Sequence, residues 1–172
     1  MTDAMLLTDR ARPAVRLERR LPDSPQVVWR ALTEREQLRS WFPCDVIVSG
    51  GLWEVGAAIT FPFPAEVIDL TLTGEVLEVD EPSVLAFTWG EETLRFELSA
   101  DGDGTRLVLV DELPAGAAAR NAAGWETCLD RLAGFDPDPD AWQPHFERYA
   151  AAFEPTLGPQ EGPPAGHKGG GR

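Results

Sequence analysis

The sequence has few cysteines and histidines, and it has no long hydrophobic run. Cys44 and Cys128 are its only cysteines, too few for the disulfide framework of a small secreted protein. Its two histidines are His145 and His167, so we expect no histidine-based acid–base machinery in the body of the fold. No segment approaches the ~20 consecutive apolar residues of a membrane span. The first residues also lack the basic-then-apolar layout of a signal peptide, and we therefore expect a cytoplasmic protein.

Basic residues are also scarce, and acidic residues dominate most of the chain. The 172 residues carry 15 Lys and Arg against 29 Asp and Glu, a formal net charge of −14. Residues 1–40 hold eight Arg against six acidic residues, whereas residues 41–154 hold 22 acidic residues against five Arg. An acidic surface repels the phosphate backbone, so we expect no nucleic-acid partner. The acidic face remains a candidate surface for a protein partner.

The first half of the ordered chain predicts one strand followed by two short helices. Apolar residues alternate over residues 14–21, which is typical of a strand with one buried face. Ser24 followed by Pro25 predicts a helix start. Thr33 with Glu36 three residues later predicts a capping box and a second short helix.

Strand and turn signals then recur every 8–12 residues up to Leu113. The sequence SGG at 49–51 predicts one hairpin, and DGDG at 101–104 predicts another. Gly74 interrupts a long apolar strand and predicts a bend or bulge there. This pattern indicates one curved antiparallel sheet of about six or seven strands.

The C-terminal third changes to helical spacing. Residues 115–133 are rich in alanine and end at Gly134, a typical residue just past a helix end. Residues 140–153 predict a further helix. We divide the chain into a flexible N-terminal arm at 1–13, one α+β domain at 14–153 and a disordered Gly/Pro-rich tail at 154–172. In this domain the long C-terminal helix covers the apolar face of the sheet.

Four segments resemble the helix-grip fold of the SRPBCC superfamily, which includes START-like and birch-pollen-allergen-like proteins. Among its branches, the chain is most similar to the homologues of the activator of the heat-shock protein 90 ATPase. The segments are LPDSPQVVWRALT (21–33), LRSWFP (38–43), GEVLEVDEP with LAFTW (74–82 and 85–89) and GWETCLDRL (124–132). The resemblance implies a sheet wrapped on a C-terminal helix, with a cavity between them. It implies no single function, since the superfamily includes binders, lipid carriers, cyclases, hydrolases and co-chaperones.

The candidate ligand-binding residues are mostly aromatic and are expected to face the interior. Two interpretations stay open, because these side chains either line an apolar cavity or fill a solid core. The best polar candidate is Asn121, which lies on the C-terminal helix one turn before Trp125. We expect Asp69, Arg95 and Glu97 to point outward. The candidates are Trp41, Phe42, Phe61, Phe63, Phe87, Trp89, Phe96, Asn121, Trp125 and Leu129.

We predict no metal site, no cofactor and no catalytic residue. Asp136, Asp138, Asp140 and Glu147 match positions 1, 3, 5 and 12 of a calcium loop, but Ala141 occupies the position that requires glycine. We interpret Asp138 or Asp140 instead as a helix N-cap. The two cysteines are interpreted as structural, because no general base is placed for a thiol nucleophile.

The leading hypothesis is non-catalytic binding of a small apolar or amphipathic ligand in a cavity between sheet and helix. The first alternative is a co-chaperone-like or regulatory module that binds a protein through its acidic face. The second alternative is a cyclase- or hydrolase-type enzyme, which requires a convergent set of buried polar groups. We expect a monomer or a weak homodimer.

Overall fold

The computed structural model describes residues 3–163 and contains eight strands and four α-helices. The N-terminal half comprises β1 (Met5–Leu7), β2 (Ala14–Leu21), α1 (Pro25–Thr33), α2 (Arg35–Leu38), β3 (Ile47–Val48) and β4 (Ala58–Pro62). The C-terminal half comprises β5 (Thr71–Asp80), β6 (Val84–Trp89), β7 (Glu92–Asp101), β8 (Gly104–Glu112), α3 (Ala118–Leu132) and α4 (Trp142–Leu157). Short 3₁₀ turns lie at Ser49–Gly51 and Ala115–Ala117.

All eight strands form one antiparallel sheet in the order β1-β2-β8-β7-β6-β5-β4-β3. This arrangement confirms the α+β helix-grip architecture, with two short helices after the first long strand and a long helix against the sheet. The strand count exceeds the expected six or seven because both edges carry a very short strand, β1 and β3. β1 lies within residues 1–13, where we expected a flexible arm, and it pairs with β2.

The start of α1 follows the sequence signal, whereas the start of α2 does not. Ser24 caps α1, its hydroxyl oxygen accepting from the Val27 amide, and Pro25 occupies the first turn. The expected capping box at Thr33 is wrong. Thr33 ends α1 and its hydroxyl donates to the Trp29 carbonyl, while Glu34 takes the cap position of α2. A hydroxyl in the last turn of a helix can bond back to the preceding turn, which removes it as a cap.

One of the two expected hairpins forms. The DGDG sequence connects β7 to β8, with Asp101 paired to Gly104. At SGG the chain makes a 3₁₀ turn instead, and β3 pairs with β4 rather than with residues 52–55. Gly50 and Gly51 both have positive φ, a conformation that a tight hairpin also uses, so the glycines alone do not decide which strand β3 pairs with.

Gly74 lies on β5 at a point where its backbone comes very close to the backbone of β6. A Cβ at this position would sit 1.9 Å from the Thr88 carbonyl oxygen, so only glycine fits. The register between β5 and β6 shifts just beyond it, between Val76 and Glu78. The predicted irregularity near Gly74 is therefore confirmed.

Helix α3 covers the inner face of the sheet, and helix α4 in turn covers α3. α3 packs on the sheet through buried small residues such as Ala118 and Ala122, and α4 packs on α3. Gly134 follows α3 with φ +91°, as expected of the residue after a helix end. α4 continues to Leu157, four residues past the expected end of the domain. The disordered tail was expected over residues 154–172, and its last part, residues 164–172, lies outside the described residues.

A buried polar network connects the N-terminal edge of the sheet to both helices. Arg19 of β2 donates to Glu126 of α3 at 2.5 Å, and the Tyr149 hydroxyl of α4 donates to the other carboxylate oxygen. The same hydroxyl accepts from the Ala4 amide at 2.8 Å. Burial, together with the hydrogen bond to the Glu126 carboxylate, raises the pKa of Tyr149 to about 12.

Candidate ligand-binding pocket

A pocket of about 600 Å³ opens at one end of the interface between sheet and helices, and we call it the Trp89 pocket. Its wall comes from the segment between β4 and β5, the turn between β6 and β7, one face of α3 and the first residue of α4. Prolines end β4 and keep the segment after it out of the sheet. The lining residues are Pro43, Phe63, Val67, Ile68, Leu70, Leu72, Trp89, Gly90, Glu91, Glu92, Arg120, Asn121, Gly124, Trp125 and Trp142.

Most of this wall is aromatic or aliphatic. The Trp89 ring lies 6.1 Å from the Phe63 ring and 5.7 Å from the Trp125 ring, measured between centroids. Leu72 and Trp142 are only partly buried, so part of their apolar surface remains open to the pocket. Such a wall favours the apolar part of a ligand.

Four polar side chains converge beside the aromatic wall. Asp111 of β8 is fully buried, and its Oδ2 accepts from Trp125 Nε1 at 2.9 Å and from Asn121 Nδ2 at 3.2 Å. Asn121 Nδ2 also lies 2.5 Å from Glu92 Oε1. One amide group therefore bridges two carboxyl groups, and we call Glu92 and Asp111 the acid pair.

The acid pair holds protons more tightly than ordinary carboxyl groups do. Burial raises the pKa of Glu92, against the lowering effect of its hydrogen bonds to Asp111 and Asn121. Burial raises the pKa of Asp111 well above its usual range, and the negative charge of Glu92 adds to that increase. Two carboxyl groups in contact favour a shared proton, because both charges together are costly away from water.

The ten candidate residues divide into two groups. Phe63, Trp89, Asn121 and Trp125 line the Trp89 pocket. Five others form part of the packed core without lining this pocket: Trp41, Phe61, Phe87, Phe96 and Leu129. Phe42 is also buried, with its ring 5.7 Å from that of Trp125, and it borders a smaller recess of about 380 Å³. The interior thus combines the two interpretations, since a solid aromatic core ends in an open pocket.

Sequence reasoning missed Glu92 and Trp142. Glu92 shares the parity of Leu94 and Phe96 on β7, so the alternation of that strand already placed it on the inner face. Asp111 lies on β8 and is fully buried, and its pairing with Glu92 was not recognised. Trp142 carried no comparable signal, because the position of α4 depends on its packing against α3.

The three residues expected to point outward do so, whereas the residue expected to cap α4 does not. Asp69 and Glu97 are exposed, and Arg95 forms an ion pair with Glu78 on the outer face. The interpretation of Asp138 or Asp140 as an N-cap is wrong, because Ala141 occupies that position and Asp138 instead accepts from the Asp140 amide. Within residues 3–163, no group of three or more His, Cys, Asp or Glu side chains has metal-binding geometry.

The two thiols lie outside any reactive arrangement. Both are buried, and burial raises the pKa of Cys44 and of Cys128 to about 12. Neither thiol therefore forms an appreciable thiolate near neutral pH.

Comparison with protein families gives one match that covers most of the domain. The model of the family described as "Activator of Hsp90 ATPase homolog 1-like protein" matches residues 23–135. This range includes the acid pair, Asn121 and Trp125, but not α4. No curated protein matches the sequence at a significant level.

Solved structures with the same fold cover the chain more fully. A conserved protein of unknown function from Enterococcus faecalis superposes with a TM-score of 0.71 at 26% identity, covering 87% of this chain and 89% of that one. CalU16 from Micromonospora echinospora gives a TM-score of 0.67 at 22% identity, covering 88% and 95%. A protein from Mesorhizobium loti gives 0.60 at 23% identity, covering 70% and 94%. In the described part of this chain, no helix is both long enough and apolar enough to cross a bilayer.

Proposed function

We propose that this chain, which belongs to the family of Activator of Hsp90 ATPase homolog 1-like proteins, binds a small amphipathic molecule in the Trp89 pocket. The family alone leaves the ligand open, because helix-grip proteins have diverse functions. The observation that carries the proposal is the pocket itself, with an apolar aromatic wall beside a few convergent polar groups. This combination is typical of small-molecule sites.

The size of the pocket is suited to a small ligand. About 600 Å³ lies within the range of known small-molecule pockets, roughly 300–1,000 Å³. The apolar part of the ligand would contact Phe63, Leu72 and Trp142, and its polar end would meet Glu92 and Asn121. Bound there, the ligand would also contact Trp89 and Trp125, whose fluorescence gives a direct readout.

Gly124 offers a way to block the pocket without disturbing the core. It lies within α3 and lines the pocket, and a Cβ built on it meets no atom within 4 Å. A phenylalanine side chain at this position would therefore extend into open space. Gly124→Phe is the blocking variant, and Gly124→Ala is its matched control.

The test is a fluorescence titration of the purified full chain with 4-phenylbutan-1-ol, a neutral amphipathic probe. We expect saturable quenching of tryptophan fluorescence in the natural protein and in Gly124→Ala, and at least a tenfold weaker response in Gly124→Phe. Native mass spectrometry then checks the stoichiometry, which should be one probe per chain. Equal binding by Gly124→Phe with an unchanged fold would show that the Trp89 pocket is not the binding site.

Acid–base catalysis on the bound molecule is a second candidate, and one observation favours it. An enzyme of this kind needs convergent buried polar groups. Glu92, Asn121 and Trp125 line the pocket, and the buried Asp111 carboxyl group lies directly behind them. A carboxyl group with a raised pKa is suited to donate or accept a proton near neutral pH. Turnover of the ligand recovered from the protein, abolished by Glu92→Gln, would distinguish this candidate from simple binding.

A further inference from the structure

We propose that the Trp89 pocket selects a ligand carrying an organic ammonium group, held by the acid pair against the surrounding aromatic rings. The inference rests on the proposed function and adds the chemical class of the ligand. It starts from the arrangement of two carboxyl groups and several aromatic rings around one opening.

The acid pair has hydrogen-bond donors but no cationic partner. Within residues 3–163, neither Glu92 nor Asp111 forms an ion pair, although Asp111 is fully buried and Glu92 is partly buried. Asp111 Oδ1, which is buried, has no donor in that part of the chain other than the proton shared with Glu92. A buried carboxylate normally has a cation or several donors beside it. Glu92 lines the pocket, whereas Asp111 lies buried behind it, so a cation entering the pocket would pair with the Glu92 carboxyl group.

The rings around the pocket are suited to the same ligand. Trp89, Trp125 and Trp142 line it together with Phe63, and tryptophan is the aromatic side chain that attracts cations most strongly through its ring face. Glu92 lines the same wall, so one bound molecule can contact a carboxyl group and the rings together. The net charge of −14 also favours the approach of a cation to this protein.

Two arginines and a glutamate are the other charged groups near Glu92. Arg120 of α3 forms an ion pair with Glu161 at 3.3 Å, and Arg12 donates to the Glu91 carbonyl at 2.8 Å. Both guanidinium groups lower the pKa of Glu92, but less than burial raises it. Glu91 lines the pocket as a second carboxyl residue beside Glu92, and Arg120 also lines it, so the charged lining residues are two carboxyl groups and one guanidinium group.

Binding of an ammonium group should displace a proton. Because burial keeps the pKa of both carboxyl groups raised, the pair retains a proton where exposed carboxyl groups are ionised. An ammonium group favours the ionised pair, so the pair releases a proton to solvent while the ligand keeps its own. The affinity for an ammonium ligand should therefore increase with pH while the amine remains protonated.

The experiment compares three probes that share one apolar part: 4-phenylbutylammonium, 4-phenylbutan-1-ol and 4-phenylbutyrate. Calorimetric titrations at pH 7 should rank the ammonium above the alcohol by about tenfold, and the carboxylate last. An alkylammonium keeps its proton below a pKa of about 10. Between pH 5 and pH 8 its affinity should thus increase, with a logarithmic slope of up to about one per pH unit. Titrations in buffers of different ionisation enthalpy should show proton release.

Glu92→Gln and Glu97→Gln form a matched pair of variants. Each removes one negative charge from β7, but Glu92 faces the pocket while Glu97 lies exposed on the opposite face. We expect Glu92→Gln to weaken ammonium binding about tenfold and to leave alcohol binding within about twofold. Glu97→Gln should change neither. If Glu92→Gln does not fold, Asp111→Asn removes the other carboxyl group of the pair, and it should abolish the proton release and the pH dependence of ammonium binding.

The outcomes separate the two proposals. Equal binding of ammonium and alcohol, without proton release, would overturn the inference and leave the proposed function intact. An equal loss of ammonium binding in Glu92→Gln and Glu97→Gln would also overturn it, because the charge effect would then be non-specific. If none of the three probes binds, and the protein as purified carries no adduct by native mass spectrometry, both proposals fail.

Discussion

The indole nitrogen of Trp125 lies 2.9 Å from Asp111 Oδ2 and connects α3 directly to β8, an interior strand of the sheet. Both side chains are almost completely buried, so this bond has little competition from water. Trp125 therefore does two things at once, since its ring forms part of the pocket wall and its nitrogen is a donor for a buried carboxyl group. The position of the pocket depends on this contact between helix and sheet.

Trp125→Phe keeps an aromatic ring at this position and removes the donor. We expect the free energy of unfolding to fall by about 1–3 kcal/mol, because the buried Asp111 carboxyl group loses a hydrogen bond. For a chain of this size that loss corresponds to a lower Tm by roughly 2–4 °C per kcal/mol. Chemical denaturation followed by circular dichroism measures it.

The control for this substitution is Trp142→Phe. Trp142 is also an indole at the pocket wall, but it is only partly buried and makes no hydrogen bond among the described residues. Its replacement should change stability much less. Equal losses in the two variants would mean that ring size, and not the bond to Asp111, determines the result.

The acid pair should make the free energy of unfolding depend on pH. Both carboxyl groups have a raised pKa in the folded protein, so the folded state binds protons that the unfolded state has already released. The free energy of unfolding should therefore decrease as pH rises above the ordinary carboxyl pKa of about 4 and towards the raised values.

Asp111→Asn tests this dependence. Its amide oxygen can still accept from Trp125 and Asn121, and its nitrogen can donate to Glu92. We expect the variant to lose less stability than the natural protein between pH 5 and pH 8. Denaturation curves across this range measure the difference, and parallel pH profiles for the two proteins would contradict the assignment.

The sequence predicted those elements that depend on local chemistry. The Ser24 cap, the DGDG turn and the irregularity near Gly74 were all correct, because each follows from the conformational preference of one or two residues. The Thr33 cap and the SGG hairpin were wrong. At both sites two local conformations compete, and packing against the rest of the fold decides between them.

The pocket was less predictable than the sheet. Strand alternation placed Phe61, Phe87 and Phe96 on the inner face, but it could not show that they pack against each other and fill the core. The boundary between core and pocket depends on long-range packing, including that of Trp142 at the start of α4. Glu92 is the exception, since its parity on β7 was readable and only its pairing with Asp111 required the structure.

The same substitution at two glycines should have opposite effects. Gly74→Ala would place a Cβ 1.9 Å from the Thr88 carbonyl oxygen, which the backbone of β5 and β6 must move to accommodate. We expect a loss of about 2 kcal/mol or more, similar to other overpacked sites. Gly124→Ala meets no atom within 4 Å and improves helix propensity, so it should gain about 1 kcal/mol. Thermal denaturation of both variants checks this, and a shift of the same sign in both would contradict the assigned contacts.

The Tyr149 hydroxyl should anchor the N-terminal edge of the sheet. It donates to Glu126 and accepts from the Ala4 amide, just before β1. β1 itself pairs with β2 through only three residues, so strand pairing alone protects this region weakly. Tyr149→Phe leaves the Ala4 amide and one Glu126 oxygen without this partner, at a cost of about 1–3 kcal/mol. Amide hydrogen exchange should accelerate at residues 4–7. The amides that pair β7 with β8 should keep their exchange rates in the same sample. Uniform acceleration across the sheet would indicate a global effect, and unchanged exchange at residues 4–7 would show that β1 is held by its strand pairing alone.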